Sequence, residues 1–203
     1  MSSEYKNIYY AITKNGYLLI NDNEYDYSQD QLIIDLMKKY KKVIIGDAFN
    51  QSIDFIPDCI THLQLGCSFN KPIMNLPRSL KYLMIAATQI AYCDFNQSLD
   101  YLPEDLESLT MKLTSNFTMP INNLPQRLKH LYFICKNFRH PINNLPEGLE
   151  SLVISHFDYA NTYKLPNTLN DVKILSGMYI EDKENITKNL IQKFPNIKFQ
   201  MNC

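Results

Sequence analysis

The sequence predicts an α/β repeat: a solenoid of about eight short parallel strands on a concave face, helical caps at its ends and an N-terminal β-hairpin. Three observations carry this reading. One phrase recurs along the chain, as "FNKPIMNLPRSLKYLMI" from Phe69, "FTMPINNLPQRLKHLYF" from Phe117 and "FRHPINNLPEGLESLVI" from Phe138. Its apolar positions stand at fixed offsets from one proline. The last two of those positions are separated by two residues, the period at which side chains of a strand share a face.

The proline falls at Pro57, Pro77, Pro103, Pro125, Pro146 and Pro166, at intervals of 20 to 26 residues. A period in the twenties is the length of a leucine-rich repeat, a strand plus a return segment. Three residues after the proline come Ile60, Leu80, Leu106, Leu128, Leu149 and Leu169. Three further on come Leu63, Leu83, Leu109, Leu131, Leu152 and Val172, then two beyond those Leu65, Ile85, Met111, Phe133, Ile154 and Ile174. The gaps of three suit a turn leading into the strand. Eight residues before the proline stand Phe49, Phe69, Phe95, Phe117 and Phe138, while Phe157 precedes Pro166 by nine. Four after each regular phenylalanine comes Ile53, Ile73, Leu99, Ile121 or Ile142. About six apolar side chains cannot offset the entropy of ordering about twenty residues, so single units must stack on their neighbours.

"FNKPIMNLPRSLKYLMI", "FNQSLDYLPEDLESLTM" and "FNQSIDFIPDCITHLQL" resemble FNIP repeats, the FGxxLxF type of leucine-rich repeat known from social amoebae and giant DNA viruses. The resemblance covers roughly residues 43 to 175. It implies a leucine-rich-repeat fold with a phenylalanine spine and an interaction role, and it carries no catalytic residues. The chain departs from the motif after the phenylalanine, where Asn50, Asn70 and Asn96 give way to Thr118, Arg139 and Asp158. Burying an unpaired Arg or Asp is very costly. The slot is therefore expected to be solvent-facing or locally bonded, without a continuous buried asparagine ladder.

The same three-then-two spacing recurs at Tyr40, Val43 and Ile45 and at Phe194, Ile197 and Phe199, giving eight parallel strands centred near residues 44, 64, 84, 110, 132, 153, 173 and 198. Ser28 with Gln31 reads as a capping box opening a helix to Tyr40. Leu32, Ile33, Leu36, Met37 and Tyr40 form its apolar face, and Lys38, Lys39, Lys41 and Lys42 sit at its negative end. Ile186, Leu190, Ile191 and Phe194 mark a second helix, stopped by Pro195. "IYYAITKNGYLLI" alternates around Asn15-Gly16 and predicts a hairpin whose two central residues take positive φ. The expected division is an N-terminal cap over 1–42, repeats over 43–175 and a C-terminal cap over 176–203.

At 203 residues the chain is long enough for a sizeable core, and a formal charge of −1 offers no footprint for nucleic acid or an anionic membrane. No apolar stretch has the length of a membrane span, and "MSSEYKNIYY" lacks the pattern of a secretory signal, so a soluble cytoplasmic protein is expected. Cys59, Cys67, Cys93, Cys135 and Cys203 are odd in number and form no CxxC pair, whereas a disulfide framework or a zinc site needs even numbers or ligand-like spacing, so they read as free thiols acting as small apolar fillers. No cofactor is expected.

Function then rests on the outward strand residues. Among these, His62, Tyr82, Met84, His130 and Tyr132 are the expected partner-binding residues, since amphipathic aromatics suit a protein interface. His62 and His130 lie three strands apart, roughly 14 Å, too far to share a metal ion. No phosphate loop, HExxH or GxSxG appears, so catalysis is not expected. The insert Ala86–Asp94 is a second candidate for binding. The alternative function is self-association, with a free edge of the N-terminal hairpin pairing to a second copy as a homodimer.

Overall fold

The computed structural model describes residues 10–85, 93–113, 117–135, 138, 140–142, 144–155, 165–175 and 183–202. Within them lie ten strands and two α-helices: β1 (Tyr10–Ile12), β2 (Leu18–Ile20), α1 (Gln31–Tyr40), β3 (Lys42–Ile45), β4 (His62–Leu65), β5 (Tyr82–Ile85), β6 (Ser108–Leu113), β7 (His130–Cys135), β8 (Ser151–Ile154), β9 (Asp171–Leu175), α2 (Lys183–Lys193) and β10 (Lys198–Asn202). All ten strands form one sheet in sequence order. Only β1 and β2 pair antiparallel; from β2 onward every pairing is parallel.

The repeat explains this topology directly. Leu63, Leu83, Leu109, Leu131, Leu152 and Val172 stand side by side across β4–β9, all 2 % exposed or less. Each motif proline opens a turn in which its carbonyl accepts the amide three residues on, as Pro77 does from Leu80 at 3.0 Å. The carbonyl just before each of β3–β8 then accepts two amides from the next copy. Thr61, for example, takes Lys81 at 2.9 Å and Tyr82 at 3.1 Å. Successive copies are thereby held in register, and the leucines after each proline close the core.

Phe69, Phe95, Phe117 and Phe138 stack as one buried column, with successive ring centroids 6.3, 6.3 and 6.2 Å apart and interplanar angles of 14°, 9° and 21°. Strands in the sheet lie only about 4.8 Å apart. The turns therefore fan outward from the sheet, which takes the inner, concave side. At the N-terminal end Tyr27 lies against Phe49 and Phe55, and its hydroxyl accepts the Asp22 amide at 3.2 Å. Phe157 lies outside the described residues.

Several expectations need correction. Among the described residues there are nine parallel strands rather than eight, because β2, still paired with β1, also pairs with β3 on its other edge, burying Leu18 and Ile20 completely. The hairpin turn has Gly16 at φ 74° but no positive φ at Asn15. Thr13 accepts from the Gly16 amide at 2.9 Å and its own amide bonds Tyr17 O at 2.9 Å, the three-residue loop with a bulged glycine. Helix α1 starts at Gln31, not Ser28. Asp30 caps it by accepting the Ile33 amide at 3.1 Å, while Ser28 belongs to a preceding 3₁₀ turn capped by Asp26. Ile33 and Met37 sink into the core, whereas Leu32 turns to solvent at 55 % exposure because it projects off that stripe. In α2, Leu190 is buried and Ile191 is exposed; the side chain of Ile186 lies outside the described residues.

The slot after the phenylalanine is bonded from copy to copy. Asn23 Oδ1 accepts the Asn50 amide at 2.7 Å, Asn50 that of Asn70 at 2.9 Å, Asn70 that of Asn96 at 3.0 Å, and Asn96 that of Thr118 at 2.9 Å. A ladder thus exists through the first copies. It is not a buried ladder, in keeping with the expectation: the slot is only half-buried at Asn50, Asn70 and Asn96. Thr118 ends its described course, with a hydroxyl that turns back onto Asn96 at 3.2 Å; Arg139 and Asp158 lie outside the described residues.

Candidate partner-binding face

Because side chains alternate along a strand, the residues between the core positions point to the concave side. Register places His62, Tyr82, Ser108, His130, Ser151 and Asp171 in one row, and Gln64, Met84, Thr110, Tyr132, Val153 and Lys173 in the next. Ile44 extends the second row through β3 and Leu19 through β2. Most of that row is apolar and half-buried, an apolar stripe over the sheet's exposed side.

A cavity of about 180 Å³ lies on this face, lined by Tyr17, His62, Gln64, Tyr82, Met84 and Thr110 with the flanking Leu63, Leu83 and Ser108. The His62 and Tyr82 rings stack at 4.3 Å with an interplanar angle of 20°. Tyr17 meets His62 edge-on at 6.2 Å, and the Lys42 ammonium lies over the Tyr17 ring at 5.5 Å. Thr61 Oγ1 sits 2.9 Å from His62 Nδ1. Burial, and then the neighbouring Lys42 charge, hold the His62 pKa below its ordinary 6.5, so the ring is biased to its neutral form. Neutral imidazole beside phenol is a surface suited to stacking and to one or two directed hydrogen bonds.

Three of the five expected residues, His62, Tyr82 and Met84, line this cavity together. Tyr132 stands one strand beyond, beside Thr110, and His130 beside Ser108; neither lines it. Tyr17 was not foreseen as part of the face. It precedes Leu18 as Lys42 precedes Val43, so its place follows from β2 joining β3, which no motif in the hairpin announces. Of the insert Ala86–Asp94, residues 86–92 lie outside the described residues. Among the described residues no group of three His, Cys, Asp or Glu side chains could hold a metal ion, and no helix is long and apolar enough to cross a membrane.

Residues 49–86 match the FNIP Repeat family model. A solved structure described as that of CroV588, a novel circular LRR protein, is similar to 82 % of this chain at 21 % identity and a TM-score of 0.47. The chain covers 38 % of that protein's length. No curated protein matches the chain.

Proposed function

We propose that this repeat protein is a non-enzymatic protein-interaction module, and that its concave face takes a protein partner through His62, Tyr82 and Met84, with His130 and Tyr132 extending the contact. The observation that carries this is the stacked His62–Tyr82 pair opening onto a cavity beside an apolar row. Tyr82 is 43 % exposed although large and aromatic, the profile of an anchor awaiting a pocket on another protein. In this reading α1 and α2 cover the ends of the core, and the repeats between them are the scaffold.

Site-specific photocrosslinking in a native lysate tests it. A crosslinker placed at position 82 or 132 should trap one common foreign protein, and one at exposed Tyr101, outside the sheet, should not. The trapped protein should then bind the purified chain and lose at least tenfold affinity on Tyr82→Ser. Trapping at 101 alone would move the site off the sheet.

Self-association is the second reading, favoured by β1, which pairs only with β2 among the described residues and leaves Ile12 41 % exposed. A three-residue outer edge of this kind is a template for a second copy. Native mass spectrometry on the full chain and on Ile12→Lys decides: a dimer lost in the variant supports it, and a monomer in both ends it.

A further inference from the structure

We propose that Cys67 and Cys93 form a reversible disulfide that clamps two adjacent turns of the solenoid. This goes beyond the interaction role and does not depend on it. The two thiols stand 26 residues apart in sequence, yet Cys93 Sγ donates to Cys67 Sγ at 3.1 Å. They occupy one slot in consecutive copies, each two residues before a column phenylalanine, Phe69 and Phe95. Adjacent copies are about 4.8 Å apart at the sheet and 6.3 Å at those rings. Both spacings lie inside the window of about 4.4–6.8 Å between Cα atoms that a disulfide requires. The backbone there is already tied, since Cys67 O accepts the Asp94 amide at 2.8 Å. The sulfurs need to close by only about 1 Å to reach bonding distance.

The chemistry is thiol–disulfide exchange with a small-molecule disulfide as oxidant. Cys67 is the less buried of the two, at 5 % exposure against 1 %, and meets the oxidant first. Its thiolate attacks the oxidant, forming a mixed disulfide and expelling one thiolate. Cys93 then gives up its proton and attacks Cys67 Sγ, expelling the second. Two thiol hydrogens leave the protein, and one oxidant disulfide becomes two thiols. The bond joins Cys67, two residues past the end of β4, to Cys93, two residues before Phe95. Cys135 is buried elsewhere, its sulfur directed to Phe117 O at 3.9 Å, and is not part of the pair.

The experiment equilibrates the full chain with oxidised glutathione, quenches with acid, alkylates and maps peptides. The expected result is a Cys67–Cys93 crosslinked peptide in most molecules, reversed by dithiothreitol, with Tm raised by about 5–10 °C in the oxidised form. In Cys93→Ser the mixed disulfide should instead accumulate on Cys67, because the resolving thiol is gone. Recovery of both cysteines alkylated, arrest of the native chain at the mixed disulfide, or crosslinks to another cysteine would each overturn the proposal. The peptide map of the native chain decides even where a variant folds poorly.

Discussion

Two columns run side by side through the repeats, and they behave differently. The phenylalanine column keeps one residue type and near-constant geometry from Phe69 to Phe138, whereas the asparagine ladder one residue later changes residue type at Thr118. A buried ring needs a neighbour of matching shape: a smaller residue leaves a void and a larger one overpacks. A half-buried amide can accept water instead, so the polar slot tolerates Thr118 where the apolar one admits no change of residue type. Burial, more than bonding, decides which repeat position is held to one residue.

The comparison can be broken most forcefully at the rings. Phe117→Ala should cost about 3–5 kcal/mol in denaturant melts, since the ring is 0 % exposed and touches Phe95, Phe133 and Phe138. A loss below about 1 kcal/mol would take the column out of the core. Next comes the ladder. Asn70 Oδ1 accepts both the Asn96 amide and Gln97 Nε2, so Asn70→Ala should cost about 1–3 kcal/mol. Thr118→Ala, at the exposed end, should cost about 0.5 kcal/mol or less. Equal losses at 70 and 118 would mean that water serves both sites alike.

Smaller effects are expected on the concave face. Tyr82→Ser with Tyr132→Ser should leave stability within about 1 kcal/mol of the native chain while weakening partner capture, because neither ring is in the core. The smallest effect is the pH dependence at His62. Its pKa is lowered by burial and by Lys42, so the unfolded chain binds that proton at higher pH than the folded one. Stability is therefore fully present above 6.5 and declines as pH falls from there towards the lowered folded value. His62→Gln should remove this part of the slope in melts taken either side of 6.5; an unchanged slope would place the titration elsewhere.

Most of the repeat architecture was legible because stacked copies impose the same demand on the same position, and the demand shows as periodicity. Leu80, Leu83 and Ile85 could be placed from Pro77 alone. What was not legible lay where copies touch something that is not a copy. Strand β2 has no proline turn before it, so Leu18–Ile20 read as half of an isolated hairpin. Tyr17 followed from that omission, and with it one wall of the cavity. Ser28 read as the helix start, but Asp30 caps the helix because its carboxylate reaches the Ile33 amide. The stacking of His62 on Tyr82 was foreseeable only as adjacency, since rotamers are set by packing rather than spacing.

The asparagine ladder has a direction. Every rung is a side-chain oxygen upstream and a backbone amide downstream, as from Asn50 to Asn70. All residues but proline carry that amide, so an asparagine-bearing copy can hold almost any successor, whereas a copy set upstream must bring the right side chain. An array built this way lengthens more readily at its C-terminal side by duplication. Synthesis runs the same way, so the acceptor for each new copy is always made before the amide that uses it.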